Sequence, residues 1–376
     1  MTSQADQQRA SQLVSRLAAE GPMRISRFMQ IAASDPEFGY YSQPGRIGKS
    51  GDFITAPEIS PLFGEMLAAL LIHLWELSGK PADALVFEAG PGSGQLMADM
   101  RRVFDRLAPP LHTAPLWMLE ASPALRDQQA SHLNGADLHY TDQIEALPGR
   151  PLFGAANEFF DALGVDQAIF QAGDWHHRLI GLADGQFAFL PGAALSAAEK
   201  QAFDCARHRN AKEGMIAEYS PAGAHFITRL ARHIAHYGGA FLIIDYGGSA
   251  LTGSSLQAVQ AHEKVDFLSH AGTADLTFLV DFARLGKVAR AEGARLVGPV
   301  EQGAFLTQLG ITRRAEQLAS TADAKTRHSL RAAIDRLTSP AWMGSLFKVA
   351  LLIPPGEGLP PGFADTATQT GTGPEK

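Results

Sequence analysis

The chain has 376 residues, of which 45% are hydrophobic, and a formal net charge of −7. That is enough apolar material for a full core, and the acidic balance argues against a nucleic-acid binder, which carries a basic face. The single cysteine, Cys205, excludes an internal disulfide framework, and no apolar run reaches the about 18 residues of a membrane span.

The N-terminus is polar, with Asp6 and Glu20, and reads as neither a signal peptide nor a transit peptide. Residues 8–19 are predicted helical, with Leu13, Val14 and Leu17 on one face, and Gly21-Pro22 ends that helix. A second short helix is expected from Ser26, as its cap, to about Ala33. Residues 42–60 are a glycine-rich loop, after which Ser60-Pro61 starts a helix with apolar residues at 62, 63, 66, 67, 70, 71, 74 and 75. That stripe is broad enough to be buried.

From there the pattern is that of an α/β fold. Strand one is expected at 84–89, helix one at 95–107, strand two at 116–120, then a helix from Pro123, capped by Ser122, to about Leu133. Strand three is read at Leu138–Tyr140 and strand four at Leu152–Ala156, each followed by polar residues. Residues 164–192 alternate, with Gly-Asp and Asp-Gly turns, and predict a small antiparallel insertion. Helices are expected over 196–212 and 221–237, and strand five at Ala240–Asp245. Residues 248–275 lack periodicity and are read as a lid or substrate loop. A helix over 278–292, strand six at Ala294–Val297, three helices between 301 and 337 and strand seven at Leu346–Leu352 complete the fold. The tail from Pro354 is rich in Pro, Gly and Thr and is expected to be disordered.

The most informative stretch is Leu85-Val-Phe-Glu-Ala-Gly-Pro-Gly-Ser-Gly-Gln-Leu96. An apolar strand ends in Glu88, three glycines follow at 90, 92 and 94, and a helical pattern then begins. Glycines let the backbone approach a ligand, and a helix start offers free N–H groups to an anion. The dinucleotide fingerprint fails, because its third glycine position falls on Gln95 or Met97. Gly48-Lys49-Ser50 is a chance match to a phosphate loop, with Gln43 in the first position and no strand before it. The plain alternative is a tight strand–helix turn with no ligand. Against it, Glu88, Glu120, Asp142 and the pair Asn157/Glu158 all fall at strand carboxyl ends, where open α/β sheets bind ligands. There is no H-E-x-x-H, and His176-His177 point to opposite faces of a strand, so no metal is expected.

The pattern E-x-G-x-G-x-G resembles motif I of class I S-adenosylmethionine (AdoMet) methyltransferases. Taken with Pro36-Glu-Phe-Gly-Tyr-Tyr41, Gly51-Asp-Phe-Ile-Thr-Ala-Pro57, Asn157-Glu-Phe-Phe-Asp-Ala-Leu163, Asp245-Tyr-Gly247, Gly272-Thr-Ala-Asp-Leu-Thr277 and Val280-Asp-Phe282, the chain resembles the MidA-like methyltransferases from about Met23 to Pro354. That family includes the arginine methyltransferase that acts as a mitochondrial complex I assembly factor. Two positions depart from it: Gly164 stands where proline is usual, and Gln260 where arginine is common.

The resemblance implies a Rossmann-like class I fold with a seven-stranded sheet, a helical N-terminal arm and insertions after strands four and five. Residues 1–80 would be the arm, 81–353 the methyltransferase core and 354–376 the tail. Gly90, Gly92 and Gly94 would cradle the methionine part of AdoMet, with Glu88 and Asn157 beside it. Glu120 would accept the ribose hydroxyls and Asp142 the adenine amino group. Gly51, Asp52, Thr55 and Pro57 would close over the cofactor from the arm. The implied acceptor is an arginine of a protein, a complex I subunit or its equivalent, and a guanidinium needs a carboxylate to hold and polarise it. Glu158 is assigned that role, with Asp161 supporting. Other expectations are a small-molecule or other-side-chain methyltransferase, or a largely non-catalytic assembly chaperone. The expected compartment is the bacterial cytoplasm, or the mitochondrial matrix in a eukaryote.

Overall fold

Strands alternate with helical segments from Leu85 to Asn157 in the computed structural model, which describes residues 4–35, 39–40, 55–260, 263–356 and 358–363. The central sheet consists of β1 (Leu85–Ala89), β2 (Leu116–Leu119), β3 (Leu138–Thr141), β4 (Leu152–Asn157), β5 (Gly239–Gly248), β6 (Arg295–Glu301) and β7 (Phe347–Ile353). Their order is β3-β2-β1-β4-β5-β7-β6, and Val280–Asp281 adds a short parallel pairing at the end of β5. Strands β1 to β5 are mutually parallel, whereas β7 runs antiparallel to both β5 and β6. This is the seven-stranded Rossmann-like α/β sheet that the resemblance implies.

The sheet is covered on both faces, which is why its inner strands are near-continuous apolar runs. Val86, Phe153 and Leu242 pack with the helices Pro61–Leu77 and Gln95–Leu107 on one side. Leu85, Phe87, Phe241 and Ile243 pack with Pro221–Tyr237 and Phe282–Ala291 on the other. Strand order reverses between β1 and β4, and the register sets Ala89 beside Ala156 and Ile244 beside Asn157. The carboxyl ends of β1, β4 and β5 thus lie side by side at the switch point, where a crevice opens.

Outside the sheet the pattern reading needs correction at several places. The helix expected over 196–212 is only Ala197–Ala202, because Asp204 turns left-handed at φ +51°. A strand, Ile216–Tyr219, follows and pairs with Asp166–Gln171. With Asp174–Ala183, Gln186–Ala194 and the N-terminal Met23–Arg24 these make a five-stranded antiparallel sheet. Residues read as an unstructured loop contain three short strands, Gln257–Gln260, Glu263–Val265 and Asp275–Thr277, paired antiparallel. Ser26 does not cap its helix; its N–H is taken by Asp166 Oδ1 at 3.0 Å. Ser122 likewise makes no side-chain cap, whereas Ser60 does, accepting from Leu62 N–H at 3.3 Å. The connector after helix Gln95–Leu107 holds a further short helix, Pro109–Thr113. Gly164 sits at φ +85°, a conformation closed to proline. Gln260 Nε2 donates to the Thr273 carbonyl and braces the small sheet. Gly51, Asp52 and His262 lie outside the described residues.

Candidate active site

At the end of β1, Glu88 is only 2% exposed, and its Oε2 has no partner among the described residues. Burial pushes its carboxyl well above the usual range. The turn that follows needs glycine: Gly90, Gly92 and Gly94 have φ of +65°, +52° and +80°. A Cβ on Gly90 would also lie 2.8 Å from Phe159 Cδ2. Gly94 then starts helix Gln95–Leu107.

Gln129, fully buried, ties this turn to β2. Its Nε2 donates to the Gly92 carbonyl at 2.8 Å and to Glu120 Oε2 at 3.3 Å. Glu120 Oε1 accepts the Ser122 N–H at 2.8 Å. Desolvation raises the Glu120 carboxyl against those bonds.

Beyond β4 the chain makes an acidic turn. Glu158 adopts a left-handed backbone, φ +52°, which is unfavourable for a residue other than glycine. Asn157 Nδ2 donates to Glu158 Oε1 at 3.0 Å, and the Ala56 N–H from the N-terminal arm donates to the same carboxylate. Burial, then the charges of Asp245 and Asp275, push Glu158 up to about 8. Asp161 is 3% exposed and is raised well above its ordinary value by burial, then Asp245, Glu158 and Asp275. Among the described residues no lysine or arginine forms an ion pair with Glu88, Glu158, Asp161 or Asp245. Asp245 at the end of β5 is fully buried and is pushed up to about 7 by burial, although four backbone N–H groups bond its carboxylate.

These elements surround one cavity of about 690 Å³, within the range of small-molecule sites. Its wall contains Thr55, Pro57, Glu88, Gly90, Gly92, Glu120, Asn157, Glu158 and Asp161. Gly94 shapes the turn without entering the wall, and Asp142 is exposed and does not line the cavity. Residues to which the sequence assigned no site role also line it: Tyr40, Tyr246, Asp275 and Thr277, all within the resemblance motifs, and Glu58. Glu58 on the short arm helix Ala56–Ile59 accepts the Ser93 hydroxyl at 2.6 Å, which clamps the arm to the glycine turn. No periodicity marks these residues; only the acid content of the Gly272–Thr277 motif hints at Asp275.

The residues fit AdoMet. An orphaned buried carboxylate oxygen at Glu88 suits an α-ammonium group, the glycine turn leaves room for backbone approach, and Glu120 offers acceptors for a diol. Parallel sheet, glycine turn and paired acids at the switch point together define an AdoMet-dependent methyltransferase of the class I type.

The comparisons with known proteins give the family. Residues 66–300 match a family of S-adenosyl-L-methionine-dependent methyltransferases. The chain is 31% identical to the mitochondrial protein arginine methyltransferase NDUFAF7 of Xenopus laevis, over 91% of this chain and 83% of that protein. It is 30% identical to the human NDUFAF7, over 91% and 82% of the two chains. A protein from Burkholderia thailandensis, solved with S-adenosyl-homocysteine bound, superposes with a TM-score of 0.79 at 28% identity, covering 96% of this chain and 95% of that one. The chain belongs to this MidA-like family of AdoMet-dependent methyltransferases, and AdoMet is its cofactor.

Proposed function

We infer that the protein methylates an arginine side chain of a protein substrate. The observation that carries this reading is the acidic end of the cavity. Glu158, Asp161 and Asp275 line it, Asp245 lies behind them, and neither Glu158 nor Asp161 has a cationic partner among the described residues. Carboxylates packed this closely hold one another's protons, and a planar guanidinium with five N–H donors relieves that repulsion. A lysine ammonium offers three donors and no fork. The relatives named as protein arginine methyltransferases support the same acceptor.

When bound, AdoMet supplies a methyl group made electrophilic by a sulfonium. The chain's own residues do the rest. Gly90 and Gly92 let the backbone close on the methionine end, Glu88 takes the α-ammonium, and Glu120 takes the ribose hydroxyls. Thr55 and Pro57 cover the cofactor from the arm, with Ser93 and Glu58 holding that arm down. Glu158 and Asp161 align the guanidinium and localise its charge on the nitrogens facing them. A free guanidinium is too basic to lose a proton at neutral pH. A guanidinium bound against Glu158 favours the ionised carboxylate over the protonated form that burial favours in the empty site, and this carboxylate accepts the proton as the new N–C bond forms. Following the family resemblance, the acceptor protein is a subunit of respiratory complex I or its equivalent, which puts the enzyme in the bacterial cytoplasm or, in a eukaryote, the mitochondrial matrix.

The test uses the purified protein, methyl-labelled AdoMet and an extract of cells lacking it, with acid hydrolysis of the labelled fraction. Label in methylarginine of a protein is expected. Label confined to small molecules supports a small-molecule methyltransferase instead. No transfer at all, with AdoMet bound, supports the assembly-chaperone reading.

A further inference from the structure

We propose that Asp245 is a positioning residue: its carboxylate fastens the turn Glu158–Asp161 so that Glu158 is held, left-handed, toward the acceptor. Asp245 is fully buried and does not line the cavity. Its Oδ2 accepts three successive backbone N–H groups, from Phe159 at 3.2 Å, Phe160 at 2.8 Å and Asp161 at 3.3 Å. Its Oδ1 accepts the Tyr246 N–H at 2.9 Å. Every one of those donors is backbone, so this acid is committed to the fold and cannot also grip a substrate.

The turn has other fastenings, but they lie at its ends. The Glu158 N–H donates to the Ile244 carbonyl at 2.9 Å, and the Asp161 carbonyl accepts from Phe278 N–H at 3.3 Å. Between them, Asp245 is the one group among the described residues that bonds the three amides. Such a concave set of N–H groups is an anion nest, filled here by the protein's own carboxylate. The strained φ of +52° at Glu158 persists because this arrangement over-determines it. An asparagine at 245 has one acceptor oxygen only, so its NH₂ must face either the three amides or the Tyr246 N–H, donor against donor.

This inference rests on the reading of Glu158 as the acid that holds the acceptor. Arginine amide is the probe, titrated into the S-adenosylhomocysteine-loaded protein. D245N is expected to weaken it by about tenfold or more, leave S-adenosylhomocysteine affinity within about twofold, and add less than about twofold to the loss in E158Q. Unchanged arginine amide affinity in D245N, or the same factor of loss in both backgrounds, overturns the proposal. If arginine amide does not bind the wild-type protein, the acceptor reading fails instead, and the crystal structure of D245N judges Asp245 alone. Glu158 leaving the left-handed region supports the proposal; Glu158 unchanged overturns it. Should D245N not fold, amide exchange in the wild-type protein decides. Slow exchange at Phe159, Phe160 and Asp161 together is expected, and exchange of these amides at the rate of an exposed loop overturns it.

Discussion

Glu158 joins a strained backbone to a carboxyl that burial and the charge of Asp245 push up to about 8, and both features govern what its replacement does. Glu158→Gln is expected to leave AdoMet affinity within about threefold and to lower turnover by about a hundredfold, the scale of a positioned acid–base group. Calorimetric titration beside a methyl-transfer assay separates the two; equal loss of both would move Glu158 into the cofactor site. The same substitution affects stability with a definite sign. A carboxyl whose folded value is raised from 4.5 to about 8 binds a proton in the folded state that the unfolded chain has released. Its contribution is fully present below about 4.5 and is lost as pH rises through 8. Glutamine cannot ionise, so the mutant gains on the wild type as pH rises, on the order of 3–4 kcal/mol at pH 8.5 relative to pH 5. Thermal melts across that range should show the mutant's Tm rising relative to the wild type's as pH increases; a relative Tm that is flat or falls would contradict the raised carboxyl. Glu88, whose Oε2 is orphaned and buried, should matter to cofactor binding alone. Glu88→Ala is expected to weaken AdoMet by at least about tenfold, the loss of one charge-assisted contact, which titration calorimetry reads directly.

Among the elements, the β1 turn and the arm are the parts proposed to hold the cofactor. Gly92 at φ +52° tolerates a β-branched side chain poorly, at a cost of about 1–3 kcal/mol. Gly92→Val is therefore expected to abolish AdoMet binding while circular dichroism shows the fold retained. Ser93→Ala removes the hydroxyl that Glu58 accepts and should speed S-adenosylhomocysteine release about fivefold, the worth of one net hydrogen bond. Stopped-flow displacement measures that rate. The turn and its flanking elements were legible in the sequence because the apolar period changes from strand to helix on either side of Gly90–Gly94. The strand Ile216–Tyr219 was not, since four residues between polar stretches become a strand only by pairing with Asp166–Gln171. Tyr246 and Asp275 fall inside the motifs Asp245-Tyr-Gly247 and Gly272–Thr277, but no apolar period shows that long-range packing brings both to the cavity. Asp142 illustrates the converse, an acid at a strand end that the structure leaves exposed and outside the cavity wall.

At the scale of the whole molecule, two regions converge on the acidic end of one cavity. The central sheet brings Glu88, Glu120 and Glu158 to its edge, and the small sheet after β5 brings Asp275 from the other side. A β1–β4 switch point explains the cofactor site in terms common to α/β enzymes, whereas the cluster of carboxylates is what the proposed arginine acceptor accounts for. The measurement that bears most directly on that division is transfer of labelled methyl from AdoMet to protein by the wild type and by Glu158→Gln, with the labelled residue identified after hydrolysis. Methylarginine from the wild type, and almost none from a mutant that still binds AdoMet, is the expected result. Label on lysine, on a carboxyl group or on a small molecule, or undiminished methylarginine from Glu158→Gln, would contradict the assignment of the acidic end as the arginine site.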